Sequence, residues 1–535
     1  MPEVLALLAG RVRTLDAANN VAEAIVLRDG RVQGVGTSHA MRALAGSDAR
    51  VIDLAGRTVL PGLIDAHTHL EGTALHLAAF ADCHAPPHRD LAGILGALTE
   101  QAARTRAGEW VIGQGSFLLA EKLAERRYPS LAEFDAAVPD HPALIRSGAH
   151  VTIVNSAGLR RAGIDERYQP PVGGHVQRDE HGRPTGLLIE LYRHLDLPAF
   201  TPAQTTEAVA ATSALLSSYG VTSLQDQYPS AVGLRAYQQL LREERLPLRI
   251  TFTVHCPHLA AVRAFLSYGL QSGFGDDRLR FGAVKFFVDG GITGAAGAFY
   301  DDYTHQPGNR GQLKLEQDEL NQMTREIDAA GCQISVHVVG DRALDMLLTA
   351  LEARPQPSGM RHRLEHAGHL CMTDERIRRM RDLGVVPVMT MPFLNAFGDF
   401  LEEYLGARAN GAFALRRLLE AGLVVAGSSD SLGAQPESLN PFFGIWCAVT
   451  RETYLGHQLA PEQAVDALAA LHSYTTAAAW ADYQEHKRGT LEPGKHADLL
   501  VCERDPLGIA PADLKDFRPS ATILGGEVVS GSLER

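Results

Sequence analysis

The sequence predicts an α/β protein whose core is a closed (β/α)8 barrel, the TIM-barrel architecture, with a small β-sandwich domain formed from both chain ends. Two observations favour this fold class. In the middle of the chain, short segments rich in β-branched and aromatic residues alternate with helix-like segments, and repeated β/α units require a parallel sheet. Both ends of the chain are instead strand-like, and the 535 residues suit one large barrel with additions.

Composition excludes several classes of protein. The chain has 50 basic and 63 acidic residues, a net charge of −13, which argues against a nucleic-acid partner. No apolar run approaches the roughly 18 residues of a membrane span. The six cysteines form no CxxC pair, and the first residues lack the basic segment of a signal peptide. We therefore expect reduced thiols, a cytoplasmic location and no membrane contact.

The two ends of the chain are predicted to build one composite domain. The N-terminal segments ALLAGRVRTLD and EAIVLRDGRVQGVG have strand character, and Asp29-Gly30 is a typical hairpin turn. The C-terminal segments GTLEPGKHADLLVCERD and SATILGGEVVSG are similar. We predict a β-sandwich from residues 1–58 and 487–535, and a barrel from residues 59–486. Two separate edge hairpins are the alternative.

Eight segments are candidate barrel strands. Several are separated by helix-like stretches, two of which end at glycine as helices often do. An open doubly wound sheet is the alternative, but no GxGxxG motif follows a strand to support it. The candidate strands are LIDAHTHL, GVTSLQDQ, LRITFTVH, AVKFFVDG, QISVHVVG, HRLEHAG, VVPVMTMP and LVVAGSSD.

A long segment, about residues 71–205, separates the first two candidate strands. It is too long for a simple βα connection, so we expect an insertion that covers the barrel mouth and contacts substrate. His150 and Asn155 in this insertion, and Arg451 after the last barrel strand, are candidate substrate-binding residues. A surface or fold-stabilising role is the alternative for each of the three.

The first barrel strand ends in the His67-Thr68-His69 triplet. Residues i and i+2 of a strand face the same side, so both imidazoles are predicted to point into the barrel mouth. Two structural histidines at a strand end are the alternative. The position of the pair at the end of an apolar strand favours a metal site.

Four other candidate strands carry a metal-capable residue near their C-terminal ends: Lys285, His337, His366 and Asp430. A buried lysine has a depressed pKa, and its neutral amine can react with carbon dioxide to give a carbamate that bridges two metals. A Lys285–Asp289 pair is the alternative. Nitrogen and oxygen donors without thiolate suit zinc, with manganese, iron or nickel as alternatives.

Several motifs, in order along the chain, resemble the amidohydrolase superfamily. More closely, they resemble its family-3 branch, which includes N-substituted formamide deformylases. The last-strand segment GSSDSLGA departs from the Gly-Ser-Asp followed closely by Pro that is usual in the branch. The matching motifs are VLPGLIDAHTHLEG, HPALIRSGAHVTIVNSAGLRRAGI, GGHVQRDEHGRPTGLLIE, GVTSLQD, VKFFVDGGITG, HVVGDRAL, HRLEHAG and GTLEPGKHADLLV.

The resemblance implies a metal centre of one or two divalent ions, with zinc expected. By resemblance, His67 and His69 would bind the more buried ion, and Lys285, as N6-carboxylysine, would bridge to a second. His337 and His366 would bind that second ion.

The resemblance also implies the reaction: hydrolysis of an amide-type carbon–nitrogen bond of a small molecule. The nucleophile would be a metal-bound hydroxide, and Asp430 would be both ligand and proton shuttle. The alternatives are a mononuclear zinc deaminase-type hydrolase, an isomerase or phosphoester hydrolase on the same barrel, and a non-catalytic regulatory protein that retains the barrel. A homodimer is expected.

Overall fold

The computed structural model describes residues 4–148, 150–171, 173–354, 359–432 and 435–534. Eight parallel strands form the central sheet in sequential order. The first and last strands meet where the backbone amide of Asp430 donates to the carbonyl of His67 at 2.9 Å. The predicted barrel is therefore confirmed as a nearly closed (β/α)8 barrel, and the open doubly wound alternative is excluded. Its strands are β1 (Leu63–Thr68), β2 (Val221–Asp226), β3 (Arg249–His255), β4 (Leu279–Phe287), β5 (Gln333–His337), β6 (Arg363–Glu365), β7 (Val386–Met389) and β8 (Ala426–Gly427).

Helices follow or precede the barrel strands. The two helices predicted to end at glycine are Gln317–Ala329 and Asp374–Asp382. Just beyond them, Gly331 and Gly384 have positive φ of 72° and 63°, which is typical of a helix C-terminus. The α-helices around the barrel are Leu70–Ala79, Pro202–Ser218, Ala231–Arg242, Leu259–Leu266, Gln317–Ala329, Asp341–Glu352, Asp374–Asp382, Pro392–Phe397, Leu401–Leu405, Leu415–Glu420, Pro441–Thr450, Ala467–Ser473 and Thr476–Ala481.

β8 is shorter than its sequence suggests. The backbone amide and hydroxyl of Ser429 both donate to the carboxylate of Asp65 in β1. The Ser429 amide thus donates to the Asp65 carboxylate and not to a carbonyl of a neighbouring strand. The parallel strand pairing of β8 ends at Gly427. The chain then turns, and Asp430 adopts a left-handed φ of 40°.

Strands from both ends of the chain form two sheets that pack on one apolar core. Leu7, Ile25, Val59 and Leu499 belong to this shared core and are fully buried. The predicted turn is present, with Asp29 and Gly30 at φ of 51° and 72°. The four-stranded sheet contains Arg31–Gly36, Ala24–Arg28, Val4–Leu8 and Arg50–Asp53, and helix Ser38–Ala45 packs on it. The six-stranded sheet contains Glu527–Gly531, Ala521–Leu524, Leu499–Cys502, Thr58–Pro61, Arg11–Arg13 and Val21–Ala22.

These sheets confirm the predicted contribution of both chain ends. In the six-stranded sheet, Thr58–Pro61 pairs antiparallel with Leu499–Cys502. The domain boundaries at residues 58 and 487 stay a prediction. Arg249, the first residue of β3, makes a buried two-point ion pair with Asp498 at 2.7 and 2.9 Å, so the sandwich is joined to the barrel end opposite the carboxyl ends of the strands.

The segment between β1 and β2 forms a third, mixed sheet beside the barrel mouth. Its helices are Leu91–Arg104, Leu119–Lys122, Leu131–Ala137 and Ser156–Arg161. Its strands are His175–Arg178, Pro184–Ile189, Val151–Val154, Ala143–Ser147, Val111–Gly115 and Ala81–Asp82. The predicted end of the insertion at residue 205 falls inside helix Pro202–Ser218, which leads into β2.

All six cysteines are free, and five of them are buried. Among the described helices, none combines the length and the apolar character that crossing a bilayer requires.

Candidate metal centre and active-site cavity

One cavity of about 510 Å³ opens at the carboxyl ends of the barrel strands. The insertion supplies part of its wall, including Phe117 and Glu190. Seven of the nine residues singled out from the sequence line this cavity. They are His67, His69, His150, Lys285, His337, His366 and Asp430.

Asp430 is the point on which three imidazoles converge. Its Oδ1 lies 3.3 Å from Nε2 of His69 and 3.7 Å from Nε2 of His67, and its Oδ2 lies 3.7 Å from Nε2 of His366. The donor atoms of His67, His366 and Asp430 all lie within 4.8 Å of one another. Burial would raise the pKa of Asp430, but His67 and His69 lower it to about 2, so the carboxylate is ionised at neutral pH.

Glu365 orients His67. Its Oε2 lies 2.7 Å from Nδ1 of His67, and its other oxygen accepts from the Ser335 hydroxyl at 2.7 Å and Arg363 Nε at 3.0 Å. Burial favours protonation, but the Arg363 and His67 charges hold the pKa of Glu365 well below its usual range. An ionised Glu365 accepts the Nδ1–H of His67, which leaves the Nε2 lone pair facing Asp430.

Lys285 is buried without a polar partner. Its side chain is 1 % exposed, and among the described residues no atom hydrogen-bonds its Nζ. Burial lowers its pKa to about 8. The alternative pairing with Asp289 is absent, because the Asp289 carboxylate instead accepts backbone amides, including those of Val339 and Gly340 at 3.0 and 2.7 Å.

His337 and His366 lie side by side, with ring centroids 4.8 Å apart. His337 Nε2 is 3.4 Å from the Gly290 carbonyl, whereas Nδ1 of His366 has no hydrogen-bond partner within the described part of the chain. Burial holds the pKa of both imidazoles well below the usual value. Both rings are therefore neutral at pH 7, which is the form that binds a metal.

The donor set fits a divalent cation. Buried nitrogen atoms on Lys285 and His366 lack partners among the described residues, and an unsatisfied buried polar atom is costly unless a ligand binds it. The described residues that line the cavity supply imidazole, amine and carboxylate groups and no thiol, a combination suited to zinc or another first-row divalent ion.

His150 contributes to the cavity wall from the insertion. Its Nδ1 lies 2.8 Å from Oε1 of Glu190. Its other ring nitrogen packs over Gly291 so closely that a Cβ at this glycine would lie 2.4 Å from it. The insertion is thereby fitted against the loop that follows β4, and glycine at 291 is required for that approach.

Two predicted substrate contacts, Asn155 and Arg451, have side chains that hydrogen-bond the backbone. Asn155 caps helix Ser156–Arg161, and its amide oxygen accepts from the backbone amides of Ala143 and Gly158, both at 2.8 Å. Arg451 is fully buried, and its guanidinium donates to three backbone carbonyls at 2.8–3.0 Å. Neither residue lines the cavity, because both side chains have their hydrogen-bonding groups occupied by the backbone.

Replacing Asn155 with alanine tests this structural role. We expect Asn155→Ala to destabilise the protein by about 1–3 kcal/mol, because it removes a helix cap and leaves buried backbone groups unpaired. KM for any substrate should not change. Thermal unfolding and steady-state kinetics measure the two effects, with the exposed Asn410→Ala as control. A raised KM with unchanged stability would instead support a substrate-binding role for Asn155.

Sequence reasoning also missed lining residues. His255 ends β3 and lines the cavity, and its position at a strand end was the available signal. The other ionisable residues of this kind come from loops and the insertion, where no periodicity marks them. They are Arg146, Glu190, Arg193, His194, Tyr228, Lys314 and His369.

The barrel and the donors at its C-terminal rim define a class: barrel proteins that bind a metal where their strands end. Comparison with known proteins gives the family. The amidohydrolase family model matches residues 50–530, and the chain belongs to the amidohydrolase family.

The relatives match nearly the whole chain. It is 31 % identical to the N-substituted formamide deformylase of Arthrobacter pascens, across 98 % of this chain and 97 % of that protein. A crystal structure of an uncharacterized metal-dependent hydrolase from Pyrococcus horikoshii OT3 superposes with a TM-score of 0.76 at 24 % identity, covering 95 % of this chain and 99 % of the other. A crystal structure of an uncharacterized metal-dependent hydrolase from Pyrococcus furiosus superposes with a TM-score of 0.73 at 24 % identity, covering 94 % of this chain and 100 % of the other. These two structures share the fold.

Proposed function

We propose that the protein is a metal-dependent hydrolase that cleaves an amide-type carbon–nitrogen bond of a small molecule, with zinc as the metal. The observation that carries the proposal is the convergence of His67, His366 and Asp430 donors within 4.8 Å inside the barrel-mouth cavity. The name of the Arthrobacter relative, a formamide deformylase, supports the choice of an amide over other substrates.

Six residues would hold the metal centre: His67, His69, Lys285, His337, His366 and Asp430. A divalent cation bound there would supply Lewis-acid activation of water and of the substrate carbonyl. Asp430, ionised and facing the cavity, would accept a proton from the attacking water and return it to the leaving nitrogen. This second transfer matters because an unprotonated amide nitrogen is a very poor leaving group.

Lys285 would act as a carbamate. With a pKa of about 8, about a tenth of the amine is neutral at pH 7. The Nζ lone pair forms a bond to the carbon of carbon dioxide, one N–H proton is lost to solvent, and the product is an anionic carbamate with two oxygen donors. Its burial without another partner supports this role.

The second candidate is a mononuclear centre. Its support is that the donor atoms of His67, His366 and Asp430 all lie within 4.8 Å of one another, close enough to share one ion, whereas a carbamate bridge is needed only for two ions. Elemental analysis of the purified protein separates the two, at one or two ions per chain.

Replacing Lys285 tests the bridge. We expect Lys285→Ala to lose at least one metal ion per chain and most turnover, because the carbamate oxygens disappear. The matched control is Lys314→Ala, which removes a lysine from the same cavity but outside the metal-ligand set and should keep its metal. Metal content is measured by elemental analysis. Unchanged content in Lys285→Ala would remove the carbamate from the proposal and favour the mononuclear centre.

A substrate panel tests the reaction class. N-formyl and N-acyl amines, cyclic amides, carboxylic esters and phosphoesters should be compared before and after chelation and after zinc is restored. We expect turnover of amides that is lost with the metal and returns with zinc. Turnover restricted to phosphoesters, or a purified protein that contains no metal and turns over nothing, would contradict the proposal.

A further inference from the structure

The charge of the cavity differs from that of the whole protein. Outside the six proposed metal ligands, three arginine or lysine side chains line it: Arg146, Arg193 and Lys314. Among the described lining residues outside those six ligands, Glu190 is the only carboxylate, and it pairs with His150. A cavity with excess positive charge inside a chain of net charge −13 attracts an anion.

Arg193 contacts the ring of Tyr228, which in turn contacts His69 of the proposed metal site. Its guanidinium carbon is 5.5 Å from the centre of the Tyr228 ring, and that ring is 5.1 Å from the ring of His69. Within the described part of the chain, Arg193 forms no ion pair with a carboxylate. Its planar fork of donors matches the two oxygens of a carboxylate.

Lys314 occupies an equivalent place beside β4. Its Nζ is 5.2 Å from the centre of the Phe287 ring, and the same ring is 4.9 Å from that of His337. Like Arg193, Lys314 has no ion-pair partner in the described ranges. Each of these two cations therefore lies beside an aromatic ring that contacts a proposed metal ligand.

The opposite flank of the metal site is apolar. The rings of Phe117, Phe393 and Phe397 contact one another at centroid distances of 5.2, 5.2 and 6.3 Å. Phe393 also stacks on His366, with centroids 6.0 Å apart. All three phenylalanines line the cavity, so this flank favours an aromatic or aliphatic group.

We propose that the substrate is an amide carrying a carboxylate on one side of the scissile bond and an apolar group on the other. The carboxylate would bind Arg193 and Lys314, and the apolar group would pack against Phe117, Phe393 and Phe397. The scissile bond would then lie at the metal ligands between the two flanks. This inference rests on the proposed function and specifies its substrate class.

The test compares two compounds that differ in one charge, N-benzoylglycine and its neutral counterpart N-benzoylglycinamide. Affinity for the metal-containing protein is measured by calorimetry where the compound is recovered intact, and as KM where it is hydrolysed. We expect the acid to bind at least tenfold more tightly and to weaken as salt increases, because its carboxylate pairs with partly exposed cations. Arg193→Gln should weaken binding of the acid about tenfold and change binding of the neutral amide less than twofold. Arg235→Gln, on an exposed helix position outside the cavity, should change neither.

Equal affinity for the two compounds, or binding of neither, would overturn the inference. So would an Arg193→Gln variant that binds the acid as the native protein does. Hydrolysis of neutral amides in the substrate panel, together with equal affinity here, would leave the proposed function standing and remove only the anionic substrate class. Preferential binding of the acid without any amide hydrolysis would support the anion site and remove the proposed reaction.

Discussion

Asp430→Asn is expected to lose about 10²–10⁴-fold in kcat while the protein retains its metal. The substitution keeps the size of the side chain and one oxygen donor, but an amide cannot accept and return a proton. Asp430 is the only carboxylate among the described cavity-lining residues that contacts His67, His69 or His366, so no neighbouring lining residue is placed to take over the transfer.

The measurement pairs steady-state kinetics on the best amide of the panel with elemental analysis of the same sample. Asp513→Asn, at an exposed position remote from the cavity, controls for a general effect of losing one negative charge. Full activity in Asp430→Asn would exclude Asp430 from proton transfer. Parallel loss of metal and activity would contradict the expected retention of metal and would show that Asp430 is needed as a ligand.

Glu365→Gln is expected to weaken both the fold and the metal site. Glu365 and Arg363 are buried, at 0 % and 1 % exposure, so neutralising the carboxylate leaves the guanidinium without its counter-charge. Loss of one partner from a buried ion pair costs about 3–5 kcal/mol. Because Glu365 also accepts from Nδ1 of His67, the variant should bind metal about 10–100-fold more weakly.

Urea unfolding and competition with a chelator measure these two effects. The control is Glu375→Gln, whose carboxylate pairs with Arg378 on the surface and should contribute less than about 1 kcal/mol. A Glu365→Gln protein that unfolds earlier but resists the chelator as the native protein does would limit Glu365 to a structural role.

The same ion pair predicts a dependence on pH. The folded protein holds the pKa of Glu365 below its usual value, so its contribution to stability is complete above the unfolded pKa of about 4.3 and is lost as the pH falls below it. The native protein should therefore lose more stability in acid than Glu365→Gln does, since glutamine does not titrate.

The fold could be predicted because its signals are local. Alternation of strand-like and helix-like segments predicted all eight barrel strands, and Asp29-Gly30 predicted a hairpin that the structure contains. The end of β8 could not be predicted. It depends on the side chain of Asp65, 364 positions away in sequence from Ser429, and no local pattern records that contact.

The site was only partly predictable. His67, His366 and Asp430 could be singled out because strand ends of a barrel meet at one rim, and the structure brings their donor atoms together. Glu365 was missed because its role depends on contact with His67 across 298 positions. The backbone hydrogen bonds of the Asn155 amide could not be foreseen, because no sequence pattern shows which nearby backbone groups a side chain binds.

The departure GSSDSLGA from the family pattern has a partial structural account. Ser429 binds Asp65, and the Ser431 hydroxyl lies 2.8 and 2.7 Å from those of Thr68 and Thr73. These contacts fix the chain on both sides of Asp430. The end of the motif, residues 433–434, lies outside the described residues.

Strand Thr58–Pro61 is synthesised long before Leu499–Cys502, the strand with which it pairs. The partner strand leaves the ribosome roughly 440 residues later, which at bacterial or eukaryotic elongation rates is about 20 to 90 seconds. Throughout that interval one edge of the N-terminal strand is an open template for wrong partners. That edge therefore stays without its native partner until residues 499–502 have emerged.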